Sequence, residues 1–272
     1  MIDDKIISND EYWGDCGPAP KWCLKKHIGK TIRSYKEKKM TAPIYHYETL
    51  PSTNAEAKKM IMNGLREGIL IADRQTAGRG RLGRSFFSEN GIFMSVILAP
   101  EKIPFDAGFL TSAVAAAVCR AITEKGFHAG IKWVNDIYLD NKKSCGILAE
   151  AVRRGTETLA YVIGICLNIG SNDFPDESKD IAAALPLDQT EKEALISNIL
   201  ANLKNVLSEN TETTLAYLKE KSIVLGKEIR YFGAINGEGI ALDLNKNGGL
   251  VVKTREKETI ILTGGEITVR LK

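Results

Sequence analysis

The chain has 272 residues, 44% apolar and 26% charged, the make-up of an ordinary globular protein with room for one large domain and a small one. A formal net charge of +3 excludes the strongly basic field of a general nucleic-acid binder, unless the charge is gathered in one place. Cys16, Cys23, Cys119, Cys145 and Cys166 lack CxxC spacing, Met1-Ile2-Asp3-Asp4 does not open a signal peptide, and the longest apolar run, Phe109 to Val118, is too short to span a bilayer, so the reading is a cytoplasmic protein with reduced thiols and no membrane partner.

Residues 1–42 are polar and lysine-rich after Lys21, with no helical period, and read as an N-terminal extension. Ile44 to Tyr47 predicts a strand. Thr53-x-x-Glu56 predicts a capped helix with Ala57, Met60, Ile61 and Leu65 on one face and Gly68 as its C-cap. Gly68 to Ala72 and Gly91 to Ala99 are apolar strand runs. Phe105 to Lys125 predicts a buried helix ended by Gly126. Ala129 to Val134 and Ile137 to Leu139 read as one strand interrupted at Asn135-Asp136. Strands Ser144 to Val152 and Thr158 to Ile169 follow, opened by Lys143 and joined at Arg153-Arg154-Gly155. Asp180 to Leu185 reads as a short helical piece, Thr190-x-x-Glu193 as the cap of an amphipathic helix through Leu207, and Thr211 to Lys221 as a further helix. From Ile223 the texture changes to short alternating runs punctuated by glycine: Glu228–Phe232, Gly239–Leu244, Leu250–Thr254, Thr259–Leu262 and Glu266–Leu271. Five short strands with turns between them predict a small β-barrel. The expected class is α+β, a mixed sheet with antiparallel hairpins and helices on one face, divided as 1–42, 43–222 and 223–272.

Two clusters carry chemistry. Gly78 to Arg84 holds three glycines (Gly78, Gly80, Gly83) and three arginines (Arg79, Arg81, Arg84) between two strand runs. Glycine lets backbone approach a ligand, and the arginine fork matches carboxylate and phosphate oxygens, so the loop suits an anion. The second cluster is Lys132-Trp133-Val134-Asn135-Asp136 with Lys143 and Gly146. Alone, Lys143 reads equally as an exposed hairpin lysine, Trp133 as a core aromatic, Asn135-Asp136 as a turn, Asn168 as a buried amide, and Ser52-Thr53-Asn54 as helix capping.

These segments, in order with Gly164 to Asn168 and Gly264-Gly265-Glu266-Ile267, resemble the biotin protein ligases from about Ile44 onward. The resemblance implies a class II synthetase-like catalytic domain and an SH3-like C-terminal domain, in the form that lacks the family's N-terminal DNA-binding domain. It implies activation of biotin by ATP, with Mg²⁺, as biotinyl-5′-AMP, then transfer to a lysine of a biotin carboxyl carrier domain. No specific DNA binding is expected, and a homodimer is compatible with it. Carried over, Ser52, Thr53 and Asn54 meet the ureido ring, and Gln75 orients the arginines. Arg79, Gly80 and Arg81 hold carboxylate and phosphate, Lys143 neutralises charge as carboxylate meets α-phosphate, and Gly146 leaves room for the ring. On the nucleotide side stand Arg81, Arg84, Trp133, Asn135 and Asn168, with Asp136 toward the metal and as a guess for the base. The pattern departs at Val134, where proline is common, and at Cys166, where glycine is usual. A lipoate or octanoate ligase would share the fold, but its usual Arg-Arg-x-Ser-Gly-Gly-Gly stretch is absent. A nucleic-acid binder using the Arg/Gly loop is the more distant alternative.

Overall fold

The structure, a computed structural model, describes residues 42–78, 80, 90–264 and 267–271. Arg79, Arg81 and Arg84, Gly265 and Glu266, and all but the last residue of the N-terminal extension lie outside them.

In chain order the elements are β1 (Ile44–Leu50), α1 (Thr53–Met62), β2 (Gly68–Gln75), β3 (Gly91–Leu98), α2 (Leu110–Glu124), β4 (Ala129–Lys132), β5 (Asp136–Leu139), β6 (Lys142–Arg154) and β7 (Glu157–Asn168). Then come α3 (Gln189–Ser208), α4 (Thr211–Glu220), β8 (Glu228–Phe232), β9 (Gly237–Leu244), β10 (Leu250–Thr254), β11 (Thr259–Leu262) and β12 (Thr268–Leu271). Seven strands form one sheet in the order β1-β2-β3-β7-β6-β5-β4. β1 and β2 are parallel, and the other pairs are antiparallel. β3 is apolar at nearly every position because it lies mid-sheet and is covered on both faces. Ile92, Met94 and Val96 join a core with α2 and α3, while Phe93 and Ile97 join a second core under α1. The helices therefore cover both faces, not one as expected. A row of buried alanines, among them Ala113, Ala116 and Ala117, lets α2 lie between the sheet and α3. The apolar span Ala107–Glu124 is long enough by composition to cross a membrane, but 67% of it is buried inside the protein.

The remaining five strands form an antiparallel sheet, β11-β10-β9-β8-β12, with SH3-like layout. Its inner residues, such as Ile229, Ala241, Val252 and Val269, belong to the same apolar core as α2. The Trp133 indole Nε1 donates to the carbonyl of Gly248 at 2.8 Å, fastening the β9–β10 turn to the larger sheet. Trp133 thus takes the core role left open above, while one edge still reaches a cavity.

Three local expectations are corrected. The cap of α1 is Ser52, whose Oγ accepts from the Ala55 amide; Thr53 is the first helical residue, and the helix ends at Asn63-Gly64 rather than Gly68. The capping box of α3 is Asp188 with Glu191, two residues before the Thr190–Glu193 pair. Asp180 to Leu185 is not a helix: its amides and carbonyls bond across to neighbouring strands, with bridges Lys143–Ala182 and Ile169–Leu185. A six-residue helix leaves most of its polar backbone groups unpaired, and two adjacent sheet edges offer better partners.

Candidate functional site

The larger sheet extends past the cover of α1, and its uncovered face is the floor of a cavity of about 490 Å³. One cross-strand row defines that face: Ala72 pairs with Phe93, Phe93 with Cys166, Cys166 with Gly146, Gly146 with Asp136, and Asp136 with Lys132. Partners in register point to the same side. Phe93 is buried beneath α1; beyond it Cys166, Gly146 and Asp136 line open space.

Strict alternation along β6 would put Lys143 and Gly146 on opposite faces, since three residues separate them. The β5–β6 pairing shifts between Ile137 and Tyr138: Ile137 faces Cys145 and Tyr138 faces Lys143, leaving Ser144 as an extra residue. This bulge returns Lys143 to the cavity side. Asp140 and Asn141, with φ of 46° and 64°, make the tight turn that starts β6.

The α1 end is a closed network. Gln75 Oε1 accepts from the Thr53 amide at 2.7 Å and from Thr53 Oγ1 at 3.1 Å, and Gln75 Nε2 lies 3.6 Å from Cys166 Sγ. Asn54 Oδ1 accepts from Ser95 Oγ at 2.7 Å, and its Nδ2 donates to Glu150 Oε2 at 2.9 Å. A Cβ on Gly164 would collide with Asn54 Oδ1, so glycine there is what admits the asparagine. Asn54, expected as a ligand contact, therefore holds the helix terminus onto the sheet.

The other end is charged. Lys143 Nζ and Asp136 Oδ1 pair at 2.6 Å, and both remain partly exposed. Lys132 Nζ donates to the Tyr138 hydroxyl at 3.2 Å. Burial, with Asp136 adding to it, pushes the Tyr138 phenol up, so it stays protonated at neutral pH. Asn135 spends its side chain on the Ile147 carbonyl at 3.1 Å, which is the turn role. Asn168 Nδ2 donates to the Ala183 carbonyl at 3.1 Å, while its Oδ1 is buried with no hydrogen-bond partner among the described residues. The segment around Ile181 forms a wall bonded to Lys143 through the Lys143 amide and Ile181 carbonyl, 2.8 Å, and the Ala183 amide and Lys143 carbonyl, 2.9 Å.

The structure brings Ser52, Thr53, Asn54, Gln75, Gly80, Trp133, Asn135, Asp136, Lys143, Gly146 and Asn168 around one space. Arg79, Arg81 and Arg84 fall outside the described residues. Sequence reasoning missed Thr268 and Arg270 of β12, Glu177, and the Tyr138 hydroxyl, all on the walls, and Glu150 beneath them. Alternation puts Thr268 and Arg270 on one face, but no local signal says what that face meets.

The profile of the Biotin/lipoate A/B protein ligase family matches residues 47–168. The chain is 34% identical over 228 residues to the bifunctional ligase/repressor BirA of Bacillus subtilis, covering 78% of this chain and 70% of that one. The chain belongs to the biotin protein ligase family. A further relative of this ligase is the biotin–acetyl-CoA-carboxylase ligase of Mycobacterium tuberculosis, 27% identical over 235 residues, or 80% of this chain and 86% of that one. Among solved structures, the biotin protein ligase from Aquifex aeolicus in complex with biotin and ATP superposes with a TM-score of 0.72 and 26% identity, covering 84% and 99% of the two chains. Biotin ligation is thus the ligase's general activity. The family match ends at Asn168, the residue whose side-chain oxygen is left unpaired in the cavity wall.

Proposed function

We propose that this ligase joins biotin to AMP, releasing pyrophosphate, and passes the biotinyl group to a lysine of a biotin carboxyl carrier domain. The observation that supports it is the polarity of the cavity. A neutral end at Ser52, Thr53 and Gln75 and a charged end, where Lys143 and Lys132 stand with Asp136, share one floor. Biotin has the same polarity, with a neutral ureido head and a carboxylate tail.

In the first step a carboxylate oxygen attacks the α-phosphorus, and the bond from that phosphorus to the β-phosphate oxygen breaks. Two anions must meet, so fixed positive charge lowers the barrier. In this reading Lys143, which lines the cavity beside Asp136, supplies that charge, and Arg79 and Arg81 of the Gly-rich loop add to it. In the second step the carrier's lysine amine attacks the acyl carbon, the bond to the phosphate oxygen breaks, and AMP leaves. The amine must lose a proton. Asp136, freed when Lys143 turns to substrate, is a carboxylate in the cavity wall that would take it.

Asp136 already faces an ammonium, and no cluster of three metal-ligating side chains stands among the described residues. The residues therefore do not by themselves build a Mg²⁺ seat, and the ion fits better as one carried on the triphosphate. The reading includes a cytoplasmic enzyme, divided near residues 43 and 223, with a protein partner and no DNA target.

The test is intact-mass analysis of a purified biotin carboxyl carrier domain after incubation with enzyme and ATP. One biotinyl group should be added with biotin, none on a carrier whose lysine is replaced by arginine, and none with lipoate. An unmodified carrier, or equal use of lipoate, overturns the proposal.

A further inference from the structure

In the floor row Phe93–Cys166–Gly146–Asp136, Phe93 is sealed under α1 and Gly146 contributes no side chain. Cys166 is therefore the step between the closed and open parts of the floor, at the end that offers neutral hydrogen bonds. Two residues away, Gly164 gives no spare room, because Asn54 fills the space above it.

Cys166 also bears on the group that meets the ligand's head. The Thr53 amide can only donate, so the Gln75 amide must turn its oxygen there and its nitrogen toward Cys166 Sγ, 3.6 Å away. A larger side chain at 166 pushes on that amide; a smaller one opens depth beneath it. Burial pushes the thiol up to about 11, so at neutral pH it is an uncharged wall. It neither repels a carboxylate nor, as a thiolate, competes for an activated acyl group.

We infer that Cys166 is a specificity-determining residue that sets the depth of the head-group end of the cavity, and so decides how wide a bicyclic head the ligase accepts. The inference rests on the biotin reading and names the residue that tunes it. Interior sites resist extra volume, and one methylene of misfit changes discrimination roughly 10- to 200-fold.

The test compares biotin with desthiobiotin, which keeps the ureido ring and carboxylate but lacks the sulfur-containing second ring. Pyrophosphate release gives kcat/KM for each acid on one preparation, so the ratio does not depend on how much of a variant is folded. Cys166→Val should lower the biotin-to-desthiobiotin ratio about tenfold, through the KM of biotin and not kcat. Cys166→Gly should move the ratio the opposite way. A ratio that stays within threefold in the valine variant, or that falls through kcat, overturns the inference while leaving the biotin reading standing. A wild-type enzyme that activates neither acid overturns both.

Discussion

At the α1 end of the cavity the polar side chains are tied to one another inside the protein, whereas at the β5–β6 end the charged groups pair in the cavity wall and stay partly exposed. Ser52, Thr53, Asn54 and Gln75 are tied to backbone, to Ser95, to Glu150 and to the Cys166 thiol. Lys143 has Asp136, and Lys132 has the Tyr138 hydroxyl. Buried neutral networks fix geometry because each broken bond strands a desolvated group. An ion pair that water and substrate can reach is screened and can exchange partners. A rigid end suits a neutral head group that does not change during reaction. An exchangeable end suits the place where charge is created and destroyed.

The contrast predicts opposite phenotypes. Lys143→Ala should reduce biotin-dependent pyrophosphate release about 100-fold or more, the scale of losing one charge-stabilising donor, with the melting temperature nearly unchanged. Retained activity in that variant would remove Lys143 from the chemistry. Asn54→Ala should instead cost about 2 kcal/mol of stability, measured by urea unfolding, because it strands the buried Ser95 hydroxyl and empties the space above Gly164. By loosening the helix terminus that carries Thr53 against Gln75, it should also raise the KM for biotin several-fold with kcat little affected. If kcat falls and stability does not, the two ends have been assigned the wrong way round.

The smallest effect is in alkali. The folded state raises the Cys166 thiol from 9.0 to about 11, so it favours the protonated form. That contribution is complete below about pH 9 and is lost as pH rises through about 11. Stability measured across this window should fall, and Cys166→Ser should fall less steeply. Identical slopes would mean the thiol is more exposed than the structure has it.

Much of the frame was legible. Glu228–Phe232, Leu250–Thr254 and Thr259–Leu262 are strands at the bounds read from sequence, because alternation and glycine punctuation are local signals. The amphipathic run through Leu207 was equally plain. Asp180 to Leu185 was misread because its partners, Lys143 and Ile169, come from β6 and the end of β7 and are invisible to a local pattern. The face of Lys143 depends on the Ser144 bulge, which is set by pairing with β5. Arg270 was missed for the same reason: its own strand says nothing of the cavity it meets. The bonds that hold Asn54 were not legible, since Ser95, Glu150 and Gly164 are far off in sequence.

The most direct measurement is mass spectrometry of the enzyme after incubation with biotin, ATP and Mg²⁺ and removal of free ligand. The expected result is bound biotinyl-AMP in the wild type and far less in Lys143→Ala. Wild-type enzyme that holds biotin and ATP unreacted, with no adenylate at any time, would contradict the claim that this cavity joins the two.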